Sequence, residues 1–137
     1  KYKTLLYKGI IKMGLEGKKL LVVDDSSTMR AIIKNQLKGM GFTNVILAED
    51  GAMGLKFANK SDFDLIISDW NMPKMTGLEF LKAIRADGKL KETAFMLLTS
   101  VDDKNSISEA LQAGVNQYII KPFTANQLQD KINLIKF

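Results

Sequence analysis

The sequence predicts an α/β domain in which five parallel strands alternate with five helices to form one doubly wound sheet. Three observations predict it. Short apolar runs recur between segments of helical spacing from Lys19 to Ile135. These runs are apolar on both sides rather than alternating, as strands covered on both faces are. Charged residues follow three of them: Asp24-Asp25 the first, Asp69 the third and Lys121 the fifth. Open α/β sheets place their ligand sites at such carboxyl ends.

The elements follow in order. Lys19–Val23 is the first strand, and Ser27–Met40 the first helix. In that helix Met29, Ile32, Ile33 and Leu37 recur at three- and four-residue steps, with Gly39 and Gly41 at its end. Asn44–Ala48 is the second strand, and Ala52–Ala58 a short helix with Leu55 and Ala58 inward. The third strand, Leu65–Ser68, runs into Asp69-Trp70-Asn71-Met72-Pro73, a turn by composition. Leu78–Ala86 carries Leu78, Leu81 and Ile84 on one helical face. Ala94–Thr99 is the fourth strand, Asp103–Ala113 a helix stopped by Gly114, and Gln117–Ile120 the fifth strand. Thr124–Ile135 closes the chain and opens on Thr124-Ala125-Asn126-Gln127, a capping-box pattern. No internal repeat or low-complexity linker interrupts this order, so residues 18–137 read as one domain behind an N-terminal extension, 1–17.

Composition narrows the chemistry. The 137 residues are 46% hydrophobic, enough to bury a core. Without cysteine there are no disulfides or thiolate metal sites, and a cytoplasmic location is expected. Without histidine the chain lacks the commonest general base and transition-metal ligand. A bound metal must then be held by oxygen, which favours magnesium, calcium or manganese. Of the net charge of +5, four units come from Lys1, Lys3, Lys8 and Lys12, leaving +1 for Met13 to Phe137. That distribution argues against nucleic-acid binding. Nor does any apolar run have the length to insert into a bilayer. The basic start reads as a non-native or upstream extension with Met13 as the true start, rather than as a secretory signal; a basic amphipathic turn at a membrane surface is the other reading.

In a doubly wound sheet of order 2-1-3-4-5, strands one and three are neighbours at the switch point, where Asp24, Asp25 and Asp69 would share a crevice. Like charges so close raise one another's pKa unless a cation joins them. A hard divalent ion and the Lys121 ammonium are the two remedies at hand. Each acid alone equally suits a helix or turn cap. Capping does not explain why acids and lysine recur at the same strand ends. Thr99, at the end of the fourth strand, adds a neutral donor, although a hydroxyl there also serves as an ordinary cap. A nucleophilic carboxylate, a metal and two donors are the parts for in-line phosphoryl transfer to an acyl acceptor.

The set Asp24-Asp25-Ser26-Ser27-Thr28-Met29-Arg30, Asp69-Trp70-Asn71-Met72-Pro73, Thr99 and Tyr118-Ile119-Ile120-Lys121-Pro122-Phe123 resembles the receiver domain of two-component response regulators, most of all the single-domain chemotaxis regulators. The resemblance runs from about Lys18 to the C-terminus and implies the flavodoxin-like (βα)5 fold. It implies that Asp69 accepts a phosphoryl group from a histidine kinase's phosphohistidine. Asp25, Asp69 and the Asn71 backbone carbonyl would hold Mg2+, with Asp24 acting largely through water. Lys121 would contact the phosphoryl oxygens and Thr99 close on them, while Tyr118 turns inward as the second switch residue. The repacked partner face would include Lys104, Ile107, Tyr118, Ile120 and Lys131, although Tyr118 by position alone is an ordinary half-buried edge aromatic. The Lys121-Pro122 bond would be cis.

With no histidine, the chain is not its own kinase, so the phosphodonor is external. The expected output is protein binding by a monomer: a flagellar motor switch protein as target and an auxiliary phosphatase as a further partner. It would be no enzyme beyond its own phosphoryl transfer and slow autodephosphorylation. Val101 departs from the acid that chemotaxis members tend to carry two residues after the matching threonine, which bears on acyl-phosphate lifetime. Two alternatives stand beside this reading. One is a receiver excised from a larger regulator or hybrid kinase. The other is a haloacid-dehalogenase-like phosphatase, whose paired acids stand two apart rather than adjacent.

Overall fold

Five parallel strands pair in the order β2-β1-β3-β4-β5. They are β1 (Lys19–Val23), β2 (Asn44–Ala48), β3 (Leu65–Asp69), β4 (Ala94–Thr99) and β5 (Gln117–Ile120). The helices are α1 (Ser27–Met40), α2 (Gly51–Lys60), α3 (Gly77–Ala86), α4 (Lys104–Gln112) and α5 (Ala125–Asn133). This computed structural model describes Leu15, residues 17–100 and residues 102–136. The basic segment Lys1–Lys12, Met13 and the departure at Val101 lie outside the described residues.

Alternate side chains of each strand feed opposite cores. Leu20, Val22, Leu65, Ile67, Met96, Leu98 and Ile119 pack against Ile33 and Leu37 of α1 and Leu128 and Ile132 of α5. Leu21, Val23, Ile66, Phe95 and Leu97 pack against Ala58 of α2, Phe80, Leu81 and Ile84 of α3 and Ala110 of α4. Burial on both sides makes the central strands apolar up to their carboxyl ends, where Ser68, Asp69 and Thr99 are buried, as the sequence pattern predicts. Each fully buried leucine or isoleucine contributes about 1.5–3 kcal/mol by leaving water. Leu15, assigned to the extension by sequence, packs against the first of these cores.

Several expectations shift in detail. Asp69 closes β3 rather than following it, since its backbone continues the pairing with Leu98 of β4. Helix α2 is longer at both ends than the periodicity implies, because Asp50 caps it by accepting from the Met53 N–H at 2.8 Å. The predicted capping box of α5 is present in both directions, and Gly41 at φ 109° ends α1, a left-handed conformation suited to glycine. Ile32 does not belong to the inner stripe: it is 42% exposed. It lines an open groove of about 460 Å³ with Met29, Gln36, Ser100, Lys121, Pro122 and Phe123.

Candidate metal and phosphoryl site

Parallel register brings the site together. Val23 pairs with Ser68, so Asp24-Asp25 just past β1 and Asp69 at the last position of β3 emerge side by side at the carboxyl edge. One carboxylate oxygen from each of Asp24, Asp25 and Asp69 lies within 4.8 Å of the others. Asp24 and Asp69 are buried, whereas Asp25 is exposed. Lys121 arrives from the end of β5, where its N–H donates to the Thr99 carbonyl at 2.7 Å. Its Nζ donates to Asp69 Oδ1 at 2.8 Å and lies 3.9 Å from Asp24 Oδ2. The Lys121-Pro122 bond is cis, as expected. Thr99 is buried at the end of β4, one residue beyond the Leu98 that pairs with Asp69.

The acids do not serve as the helix caps that each alone would suit. Ser26 caps α1, accepting from the Met29 N–H. Asp24 instead takes the Ser26 N–H on Oδ1 at 2.9 Å, while its Oδ2 is buried with no hydrogen-bond partner among the described residues. Burial raises the Asp24 carboxyl above its ordinary value, and the neighbouring Asp69 and Asp25 charges push the same way. The Ser26 N–H and Lys121 oppose that rise without cancelling it. Three carboxylates against one ammonium leave the nest short of positive charge. A buried acceptor without a hydrogen bond among hard oxygen donors fits a divalent oxygen-seeking ion of the magnesium, calcium or manganese class.

Four contacts that shape the nest escape sequence reading. Arg30 Nη1 donates to the Asp24 carbonyl at 2.7 Å. The Ser68 hydroxyl, itself buried, donates to the Asp69 carbonyl at 2.9 Å. Gly77 presses against the same stretch: a Cβ there would overlap the Asp69 carbonyl oxygen and sit 2.9 Å from Trp70 Cα. Met75 fills a notch over Gly51, tying the turn after Asp69 to the start of α2. Arg30 stands in the quoted motif without a role of its own, and Gly77 stands just ahead of the predicted helix, where glycine has several common uses.

Asn71 is exposed in the turn directly after Asp69 and Trp70. On the flank, Lys104 and Ile107 lie on α4, exposed and half-buried respectively. Tyr118 and Ile120 are half-buried on the same side of β5. Lys131 of α5 holds its ammonium 5.2 Å from the Tyr118 ring centroid, a cation–π distance.

Comparison with known proteins agrees with this geometry. A family model described as the response regulator receiver domain matches residues 20–133. The chemotaxis protein CheY of Pseudomonas aeruginosa is 50% identical over 117 residues, covering 85% of this chain and 94% of that protein. Among solved structures, the chemotaxis protein CheY4 of Vibrio cholerae superposes with a TM-score of 0.82 at 36% identity, covering 87% of this chain and 98% of that one. The receiver domain of a Pseudomonas aeruginosa sensor histidine kinase is described with a magnesium ion coordinated in its active-site cleft. It superposes at 0.75 with 29% identity, over 83% of this chain and 93% of that domain.

Proposed function

The chain belongs to the response regulator receiver family, a two-component signalling switch homologous to the CheY chemotaxis regulators, and on that premise we propose that Asp69 is its phosphoacceptor. The observation that carries the assignment is the convergence of three carboxylates within 4.8 Å with the Lys121 ammonium 2.8 Å from Asp69. Asp24, Asp25, Asp69 and the Asn71 backbone carbonyl would hold Mg2+, which supplies charge neutralisation at the phosphoryl oxygens. The magnesium described in the kinase receiver supports that choice of ion.

In the transfer, a carboxylate oxygen of Asp69 bonds to phosphorus as the phosphorus–nitrogen bond of the kinase's phosphohistidine breaks. The imidazole leaves with the electron pair of that bond and takes up a proton. Lys121 exchanges its bond to Asp69 Oδ1 for one to the incoming phosphoryl oxygens, stabilising charge where it accumulates. The Thr99 hydroxyl then closes on the phosphoryl group. Movement at the end of β4 is passed to β5 through the Lys121 N–H bond to the Thr99 carbonyl. Tyr118 turns inward and repacks the face of α4, β5 and α5, which includes Lys104, Ile107, Ile120 and Lys131. A differential contact energy of about 5.5 kcal/mol carries such an equilibrium from 1:99 to 99:1.

The partners follow from this reading. For a chain acting in the cytoplasm, a histidine kinase is the donor, a flagellar motor switch protein the target, and an auxiliary phosphatase shortens the signal, with slow autodephosphorylation beneath it. Trp70, next to Asp69, reports directly on the site. Magnesium followed by beryllofluoride changes Trp70 fluorescence in the wild-type chain, and the second change is absent in Asp69→Asn. An Asp69→Asn protein that still responds to beryllofluoride contradicts the assignment.

A further inference from the structure

Asp25 is the exposed member of the carboxylate cluster, and no ion pair among the described residues steers it. Its direction therefore follows from the two peptide planes that flank it. The plane between Asp25 and Ser26 is pinned by the Ser26 N–H, which donates to Asp24 Oδ1 at 2.9 Å. The plane between Asp24 and Asp25 is pinned at its carbonyl oxygen by Arg30 Nη1 at 2.7 Å. We propose that Arg30 is a positioning residue for the divalent-cation nest: it holds the Asp24–Asp25 peptide so that Asp25 faces Asp69. This inference rests on the metal-site reading above.

Arg30 is placed for that task. It lies in the first turn of α1, its N–H bonded to the Ser26 carbonyl at 3.0 Å. Its side chain lines a cavity of about 380 Å³ with Leu47, Ala48, Glu49, Met53 and Phe57. A guanidinium can lay its stem along such a surface and still direct a fixed fork of donors at one oxygen. It forms no ion pair with a carboxylate among the described residues. Its charge is thus spent on a backbone carbonyl beside a site that must attract a cation.

That placement makes the role separable from a charge effect. As a bare positive charge, Arg30 repels a divalent ion, and removing it would tighten binding. As a pin, it keeps Asp25 aligned, and removing it weakens binding. The two roles predict opposite signs.

The test is calorimetric titration of the full chain with magnesium alone, on wild type, Arg30→Met and Arg30→Gln, with Arg85→Met as a control at the other end of the sheet. Melting curves establish that each variant is folded at the titration temperature. Arg30→Met and Arg30→Gln are expected to bind magnesium about 10-fold more weakly, the scale seen when a group orienting a metal ligand is lost. Arg85→Met is expected to lower the melting temperature and leave magnesium affinity unchanged. If Arg30→Met does not melt cooperatively, Arg30→Gln decides. Affinity equal to or tighter than wild type in the folded Arg30 variants overturns the positioning role while the metal site stands. A wild-type chain that does not bind magnesium overturns both.

Discussion

The Lys121 ammonium sits 2.8 Å from Asp69 Oδ1, although 52 residues separate the two in the chain. It is the charge that keeps a mostly buried carboxylate cluster tolerable before any divalent ion arrives. Lys121→Met is therefore expected to lower stability by about 2–3 kcal/mol without magnesium. That is less than the 3–5 kcal/mol typical of breaking a fully buried pair, because the Lys121 side chain is 23% exposed. Magnesium should restore more stability to the variant than it adds to wild type. Thermal melts with and without the ion check this, and equal gains in both proteins count against it.

Gly77 and Gly39 form a contrasting pair. A Cβ at Gly77 meets the backbone of Asp69 and Trp70, which has no flexible end to yield. Gly77→Ala should cost about 3 kcal/mol, at the upper end of overpacking. Gly39 lies within α1 with nothing within 4 Å of a Cβ. Gly39→Ala should gain about 0.5–1 kcal/mol from helix propensity and a less flexible unfolded chain. Urea denaturation of both variants tests the pair, and a neutral Gly77→Ala would show that the approach is not rigid.

Arg85 ties the opposite end of the sheet. It donates to the carbonyls of Gly114, Lys91 and Thr93 and to Asn116 Oδ1, and the last oxygen also accepts from the Phe95 N–H. Arg85→Met should cost about 3 kcal/mol, since hydrogen bonds to a charged group are worth roughly 1.5–3 kcal/mol and do not add. Arg85→Lys should recover less than half of it, because an ammonium cannot reproduce the fork. Loss below 1 kcal/mol in urea melts would contradict the clamp.

Two exposed acids predict how the chain responds to acid. The Ser106 backbone N–H, and then its hydroxyl, hold Asp103 below its ordinary value of 3.8. The Thr76 backbone N–H, and then its hydroxyl, do the same for Glu79 below 4.5. A depressed carboxyl contributes its stability in full above the ordinary value and loses it as pH falls through the folded one. The start of α3 and the start of α4 should accordingly hold until the pH drops under those values. Amide chemical shifts of Ser106 and Thr76 followed by NMR should show midpoints below 3.8 and 4.5. Midpoints at or above them would show that these caps do not form.

Period and strand-end chemistry made the architecture legible. Apolar runs without alternation identify a covered parallel sheet, and the acids at the carboxyl ends of β1 and β3 converge because parallel register aligns those ends. Sequence periodicity reports which face of an element is apolar, not which neighbour covers it. Ile32 satisfies the helical spacing of α1 as well as Ile33 does, yet among the described residues it stays 42% exposed. Arg85 reads as an ordinary helix residue because its partners lie on other segments, as many as 31 residues away, and the contacts of Arg30 and Gly77 likewise fall outside their own helices. A polar residue such as Asp69 resembles a strand stop in sequence, whereas the backbone pairs through it.

The most direct test of the central claim is intact-mass spectrometry of the chain after incubation with magnesium and acetyl phosphate. Wild type should gain one phosphoryl group, labile to hydroxylamine as an acyl phosphate is, and Asp69→Asn should gain none. Equal labelling of Asp69→Asn, or no labelling of folded, magnesium-bound wild type, would contradict the account.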